Sequence, residues 1–522
     1  MIDTTHLDQL DAQQLRQAVL ALLGTTASQA SEIERKDRDI AFKQAFIDKL
    51  THEMAVLKRL KFAAQSEAFN AEQTSLLEEA IDTDLAALAA EIEQVAPPPP
   101  QDKQGPKRRP LPADLPRREI CHEPENTTCG CGCQLKRIGQ DVAEKLDYQP
   151  GVFTVERHIR GKWVCTQCET LIQAPVPAHV IDKGIPTAGL LAQVLVAKYA
   201  DHLPLYRQES IFARAGLALP RSTLAQWVGQ CGVQLQPLVN ALRAELLRHS
   251  VLHADETPVA MLKPGKGKTH RAYLWSYCTT TYNETKAVVF DFADSRAGQH
   301  ARDFLGISGE DGWKGSLVCD DFSGYKACFE KGVTEAGCLA HARRKFHELW
   351  VNHQSTIGEQ ALKFFVQLYD IEREVHKLHA AHRKRIRRQR SRPVAKAMHL
   401  WLTEQRQKVP HGSATAKAID YSLNRWTALV RFIDDGELPV DNNWVENQIR
   451  PIALGRANWL FAGSLRAGKR AAAVMSLVHS ARLNGHDPYA YLKDVLTRLP
   501  TQPASRVQEL LPHRWQPELT AT

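Results

Sequence analysis

Apolar side chains in the first 95 residues return at three- and four-residue steps. Ile40, Ile47, Leu50, Met54, Leu57 and Leu60 share one side of a helical period, glycine and proline are scarce, and Leu, Ala, Glu and Lys fill the rest. The pattern predicts a helical region over 1–95, either a hairpin packed on itself or a short coiled coil. It stops at PPPPQDKQGPKRRPLPADLPRR, where eight prolines favour extended backbone and six Lys or Arg keep it hydrated, so 96–118 reads as a basic linker that can touch phosphates. A cysteine-rich segment occupies 119–172 and a helical one 186–245. Within the latter, RSTLAQWVGQCGVQL follows a Gly216 and Pro220 turn with Ser222 available as N-cap, which suits a helix-turn-helix or ordinary helical packing. From 250 to 345 the period shortens. SVLHAD, AYLWSYCTT and KAVVFDF predict three antiparallel strands, followed by a helix over 296–305, strand SLVCD, a helix starting near Tyr325, strand AGCLAH and helix ARRKFHELW. The fold class is therefore multidomain α/β, with a mixed sheet, helices on its faces and a helical insertion over 350–430. Residues 440–472 return to the sheet, and 473–517 form a helical tail.

Length and composition add bounds. A chain of 522 residues with 43% hydrophobic content can bury more than one core. No run of about 18 apolar residues occurs, and the first residues have neither a basic nor an apolar signal region, so no membrane association and a cytoplasmic location are expected. A net charge of +8 does not by itself select nucleic acid as partner. The run RKRIRRQRSRP, without an acid, reads as a solvated face or a phosphate contact.

Candidate chemistry lies in three places. Asp255 is expected to close the first strand and Asp320 the strand SLVCD, positions where α/β sheets bind ligands. In VDNNWVENQIRP, Asp441 is expected to cap and Pro451 to stop a helix on which Asn443, Glu446 and Arg450 share a face while Val445 and Ile449 hold the sheet. Three carboxylates from two strands and a helix suit two Mg²⁺ (or Mn²⁺) ions and in-line phosphoryl transfer. On residue type alone Glu256, Asp291, Asp294 and Asp321 compete with them. Second, Cys165-x2-Cys168 is half of a structural Zn²⁺ site, and upstream Cys129 and Cys133 have zinc-type spacing while Cys131 departs from that pairing, so four of these five are expected to bind, with Cys121 and His122 in reserve. The alternative is free or redox thiols. Third, Gly463 to Lys469 imitates a phosphate-binding loop, but Arg470 stands where Ser or Thr would hold magnesium. Nucleotide hydrolysis is rejected on that ground, and Arg466, Lys469 and Arg470 are expected to pack on the sheet and face DNA.

HADETPV, CDDFSGYKA, AGCLAHARRKFHEL and DNNWVENQIRPIALGRANWLFAGS occur in an order that resembles transposases of the insertion-sequence 66 family, and the likeness runs from about 120 to 517. The resemblance implies a ribonuclease H-like DDE domain over 175–472 whose last acid follows the helical insertion. It assigns the triad to Asp255, Asp320 and Glu446, with Asp320 preferred to Asp321 because Phe322 and Gly324-Tyr325 keep the family spacing. Asn443, Asn447, Arg450 and His341 match motif positions, and Arg343, Arg344 and Lys345 follow His341. The roles implied are orienting Glu446 and holding substrate phosphates, and for His341 a buried hydrogen-bonded histidine is the competing reading. A zinc-binding domain for DNA or partner contact is implied as well. The function expected is Mg²⁺-dependent hydrolysis at the ends of an insertion element and strand transfer into target DNA. Its partners are double-stranded terminal repeats and target, a second copy of the chain through the N-terminal helices, and small accessory transposition proteins, at the bacterial nucleoid. The alternatives are a catalytically inactive zinc-containing DNA-binding regulator, disfavoured by three intact acids, and a ribonuclease H-like nuclease that cuts without joining.

Overall fold

The N-terminal periodicity is realised, in the computed structural model, as α1 (Ala12–Ala63), a 52-residue helix about 78 Å long at 1.5 Å per residue. The structure describes residues 12–63, 71–95 and 111–517 except positions 114, 125, 150–151, 182–183, 264–267, 308 and 310–311, so most of the expected linker over 96–118 lies outside the described residues. The chain forms two compact units, residues 1–66 with 87–107, and residues 67–86 with 108–522. In the first, Leu50 is buried while Leu20, Ile33, Ile40 and Phe42 are exposed on α1.

The second unit takes residues 71–86 of α2 (Ala71–Val95), where Leu76, Leu77 and Ile81 are buried. Next comes a sheet of β1 (Arg117–His122), β2 (Leu135–Gln149), β3 (Val152–Cys165) and β4 (Leu171–Gln173), ordered β1-β3-β2 with β4 also against β3. Three helices follow, α3 (Ala188–Tyr199), α4 (Leu205–Arg214) and α5 (Arg221–Leu246). Ser222 does not cap α5. Its N-cap is Pro220, and the Glu209 carboxylate accepts from the Arg221 N–H instead. Leu224, Val228, Cys231, Leu235, Leu238 and Leu242 are buried along α5, which makes it a core helix.

The central sheet has β5 (Val251–Lys263), β6 (Lys268–Cys278), β7 (Val288–Ala293), β8 (Ser316–Cys319) and β9 (Thr334–Gly337), in the order β7-β6-β5-β8-β9. β5, β6 and β7 are antiparallel, and β8 and β9 run parallel to β5. This is the mixed, ribonuclease H-like sheet that was expected. α6 (Gln299–Leu305) leads to β8, and α7 (Lys326–Phe329) to β9. Two boundaries differ from expectation. Asp255 does not close β5, which runs on to Lys263 because β6 pairs with its whole length. The strand predicted at AGCLAH lies earlier: pairing with β8 ends at Gly337, and Cys338 is already the N-cap of α8 (Leu339–His353).

The insertion contains α9 (Thr356–Val375), α10 (Ala380–Ile386), α11 (Arg392–Lys408), α12 (Ala414–Asn424) and α13 (Trp426–Val430). With α8 it builds a second core on the sheet, in which Val251, Val318 and Ala336 meet Phe346, Phe365, Leu402, Ile419 and Phe432. Its basic run is largely structural. Arg387 is fully buried, with Nε and Nη2 on the two Glu372 carboxylate oxygens at 2.8 and 2.6 Å and Nη1 on the carbonyls of Phe432, Asp435 and Leu438. Arg383 is buried too, Arg388 and Arg392 pair with Asp434, and Arg390 pairs with Glu374.

α14 (Asn443–Gly455) then packs on β5, α15 (Leu465–Leu483) on β7, and α16 (Pro488–Arg498) on α3. α15 closes the open edge of β7. Ser476 and Ser480, one turn apart, accept the N–H groups of Phe290 and Val288 at 2.8 and 3.0 Å, so those edge donors find side-chain partners.

Candidate active site and zinc-ligand cluster

Pairing between β5 and β8 covers only residues 251–253 and 316–318. Asp255 and Asp320 each stand two residues beyond the last pair, His253 and Val318, so they sit at matching heights where the two strands part. Each is held by its own backbone: Asp255 Oδ1 accepts from Glu256 N, and Asp320 Oδ1 from Phe322 N, both at 2.9 Å. Burial, then repulsion from Glu256 and Asp320, with Glu446 adding to it, keep the Asp255 carboxyl well above the usual carboxylate range.

Glu446 comes from α14, where Val445, Ile449 and Ile452 are buried on the sheet side and Asn443, Asn447 and Arg450 are exposed. Asp441 Oδ1 accepts from Asn443 N at 3.1 Å, but the capping position belongs to Asn442. Pro451 does not end the helix. α14 continues to Gly455, with Ile452 fully buried against the core and Gly455 too close to the His202 ring to carry a side chain. Glu446 Oε1 lies 3.8 Å from His341 Nδ1, and Oε2 lies 3.6 Å from Arg344 Nη2.

The competing acids have other partners. Glu256 takes Arg296 Nε at 2.9 Å and the Tyr325 hydroxyl at 2.7 Å, and its side chain is buried. Asp321 pairs with Arg425 and Asp294 with His300. Burial pushes the Asp291 carboxyl up, and Lys469 opposes that shift. Among the expected phosphate ligands, Arg343 and Arg344 are exposed on α8. Lys345 instead lies over the Tyr421 ring at 4.5 Å, and the Asn443 amide is tied to Asp441 Oδ2 at 3.0 Å.

Sequence reasoning missed Asn442. Fully buried, it donates from Nδ2 to the Ala254 carbonyl at 2.9 Å, meets His253 Nδ1 through Oδ1 at 2.8 Å, and donates its backbone N–H to Cys338 Sγ at 3.1 Å. One amide thus fixes the start of the Glu446 helix to the strand of Asp255 and the cap of α8. The doubled asparagine of DNNW was its only signal in the sequence.

In the cysteine-rich segment the Sγ atoms of Cys129, Cys131, Cys165 and Cys168 all lie within 4.8 Å of one another. Cys131 is 3.7 Å from Cys165 and 3.8 Å from Cys168, close to the roughly 3.8 Å edge of a tetrahedral zinc–thiolate site. Hydrogen bonds from Thr170 and Cys129 bring the Cys168 thiol down to about 6. Cys133 drops out. Gly132, at φ +85°, turns the chain so that Cys129 N donates to the Cys133 carbonyl at 2.8 Å, and the Cys133 thiol goes to Gln167 Oε1 at 3.2 Å. Cys121 and His122 are not reserve ligands either. They pair with Ile159 and Arg160 of β3, so His122 lies level with a residue five positions, or about 17 Å, before Cys165, and it meets His158 at 3.0 Å.

The look-alike loop also has another use. Ser464 caps α15 by accepting from Ala467 N at 2.9 Å and bonds Asp84, which also takes Arg470 Nη2 at 2.9 Å. A buried carboxylate therefore stands beside this helix start, and Arg470 does not face DNA.

The model described as "Transposase IS66 family" matches residues 183–470, more than half of the chain. The chain belongs to this family. Further family matches are the IS66 C-terminal element over 476–513, the zinc-finger binding domain of transposase IS66 over 126–169, and "Transposase C of IS166 homeodomain" over 49–120. Similar proteins include three from Sinorhizobium fredii (strain NBRC 101917 / NGR234). Uncharacterized protein y4qI is 36% identical over 97% of this chain and 98% of its own length. Uncharacterized protein y4hP is 35% identical over 80% and 79%, and y4jD 34% over 92% and 98%. The zinc-finger match and the four converging thiols together support structural zinc in this family member. Among the described residues no helix is long and apolar enough to cross a membrane.

Proposed function

We propose that this transposase hydrolyses phosphodiester bonds at the ends of its insertion element, freeing 3′-hydroxyls, and directs those hydroxyls onto target DNA. The observation that carries the reading is that Asp255 and Asp320 stand at the parting of β5 and β8 with Glu446 close enough to repel the Asp255 charge, while Glu256 and Asp321 are held by arginines and Asp294 by His300. The donor set fits hard divalent cations, and Glu446 Oε1 is buried without a hydrogen-bond partner. Asp255, Asp320 and Glu446 would hold two Mg²⁺ or Mn²⁺ ions, which supply activation of the attacking oxygen and stabilisation of the leaving one. Asn442 keeps Glu446 in register with Asp255. Arg344, one turn from His341, stands ready to exchange its Glu446 contact for a DNA phosphate, and Arg343, Asn447 and Arg450 widen the polar face for the backbone. The zinc-binding domain contacts DNA or a partner. α1 joins two copies so that both element ends are held, and small accessory proteins assist in the cell.

The test incubates the full chain with Mg²⁺ or Mn²⁺ and a labelled duplex carrying the element ends, beside Glu446→Gln. Metal-dependent cleavage with joined products, both lost in the variant, is the expected result. Cleavage without joining would assign a nuclease, and equal cleavage by the variant would remove Glu446 from the site.

A further inference from the structure

His341 Nδ1 and Glu446 Oε1 face each other at 3.8 Å, and both atoms are buried without a hydrogen-bond partner. The gap is too long for a direct hydrogen bond, which needs about 2.7–3.2 Å. Two unsatisfied buried polar atoms aimed at one another carry a desolvation cost that something between them must offset. Two donors each about 2.0–2.2 Å from a common ion stand roughly 3–4 Å apart, so the gap has the size of a shared divalent cation. Their supports are firm: His341 lies in the first turn of α8 and Glu446 in the first turn of α14, and Asn442 and Cys338 link the two helix starts. Cys338 Sγ lies within 4.8 Å of both atoms but already accepts the Asn442 N–H, so it stays a neighbour of the site.

We infer that His341 is a metal ligand, sharing through Nδ1 the ion bound by Glu446, and that this nitrogen gives one ion position a preference for first-row transition ions over Mg²⁺. The inference rests on the proposed function in taking Glu446 as a ligand. Mg²⁺ demands oxygen donors, whereas an imidazole suits transition ions.

The test uses the full chain with zinc in its cysteine site and Mn²⁺ as the probe. Electron spin-echo spectra of bound Mn²⁺ report directly coordinated nitrogen. The wild type is expected to show coupling to one imidazole nitrogen. His341→Asn, whose Oδ1 is bonded to Cγ as Nδ1 is in histidine, is expected to keep the ion and lose that coupling. Its preference for Mn²⁺ over Mg²⁺ should fall roughly tenfold or more. A wild-type spectrum without nitrogen coupling, or coupling that persists in His341→Asn, overturns the inference. Asp255→Asn and Glu446→Gln separate it from the proposed function. If both variants lose Mn²⁺ but the wild type shows no nitrogen, the carboxylate site stands and the His341 assignment falls. If Glu446→Gln loses the nitrogen-coupled ion and Asp255→Asn binds as the wild type does, His341 is a ligand and the carboxylate triad is wrong.

Discussion

Asp255 carries the heaviest electrostatic load of the proposed triad, because burial and the neighbouring Glu256 and Asp320 all disfavour its charge. A carboxyl whose folded-state pKa lies above its unfolded value costs stability once pH exceeds the folded value. The cost is relieved as pH falls through that value toward the ordinary carboxylate range. Asp255→Asn is therefore expected to melt higher than the wild type near neutral pH without added metal, by roughly 1 °C for each kcal/mol relieved. The difference should shrink on acidification, and Mg²⁺ should stabilise only the wild type. Calorimetric scans from pH 7 downward check this, and a variant that melts lower throughout would mean that the carboxylate is favourably paired. At this scale residue types left Glu256, Asp291, Asp294 and Asp321 beside the proposed triad, which only the family resemblance singled out, and nothing in the sequence showed what fixes these acids in place. Asp441 and Pro451 were expected to bound the Glu446 helix by local rules, yet the pivot is Asn442, whose partners His253 and Ala254 lie far away in the chain. Pro451 is carried inside the helix by the burial of Ile452. Local signals cannot report such tertiary partners.

Strand rhythm, the helical insertion and the CxxC half-site were readable at the level of elements, because each leaves a short-range pattern. Other features depended on packing. The run RKRIRRQRSRP looked like a solvated face, but its Arg383 and Arg387 are core residues, held by Gly436 and by Glu372 with three carbonyls. The helix-turn-helix candidate became a core helix for the same reason: its apolar face meets α15, α3 and β7. Spacing favoured Cys129 with Cys133 and made Cys131 the odd thiol, but the four converging thiols include Cys131 and not Cys133, because the turn at left-handed Gly132 closes Cys129 N on the Cys133 carbonyl. Cys133→Ser is accordingly expected to retain full zinc content, whereas Cys131→Ser, which removes one thiolate of the four, loses zinc and loosens the β2–β3 sheet. Zinc measured by atomic emission on the purified variants decides it. Loss of zinc in Cys133→Ser with retention in Cys131→Ser would reverse the ligand assignment.

For the whole molecule, a long insertion separates Asp320 from Glu446 in the chain, and it can be long because its helices bury their apolar faces in a second core on the sheet, against Val251, Val318 and Ala336. The length of α1 is what one folded unit leaves unexplained. A 52-residue helix that exposes Ile33 and Ile40 by 59% and 63% is unfavourable alone in water. Ile33, Ile40, Ile47 and Met54 follow one another at seven-residue intervals, with Leu50 and Leu57 three residues after the last two, the seam of a two-stranded coil. On the proposed function a second copy of the chain supplies the matching seam, so that two element ends are held together. Replacing Ile33 and Ile40 together by Lys is therefore expected to convert a concentration-dependent dimer into a monomer in sedimentation. Melting of the second unit should be unchanged and binding to a single end retained, while joining of paired ends is lost. A double variant that sediments and joins as the wild type does would place the contact between copies elsewhere in the chain. The seam of α1 would then need a different partner.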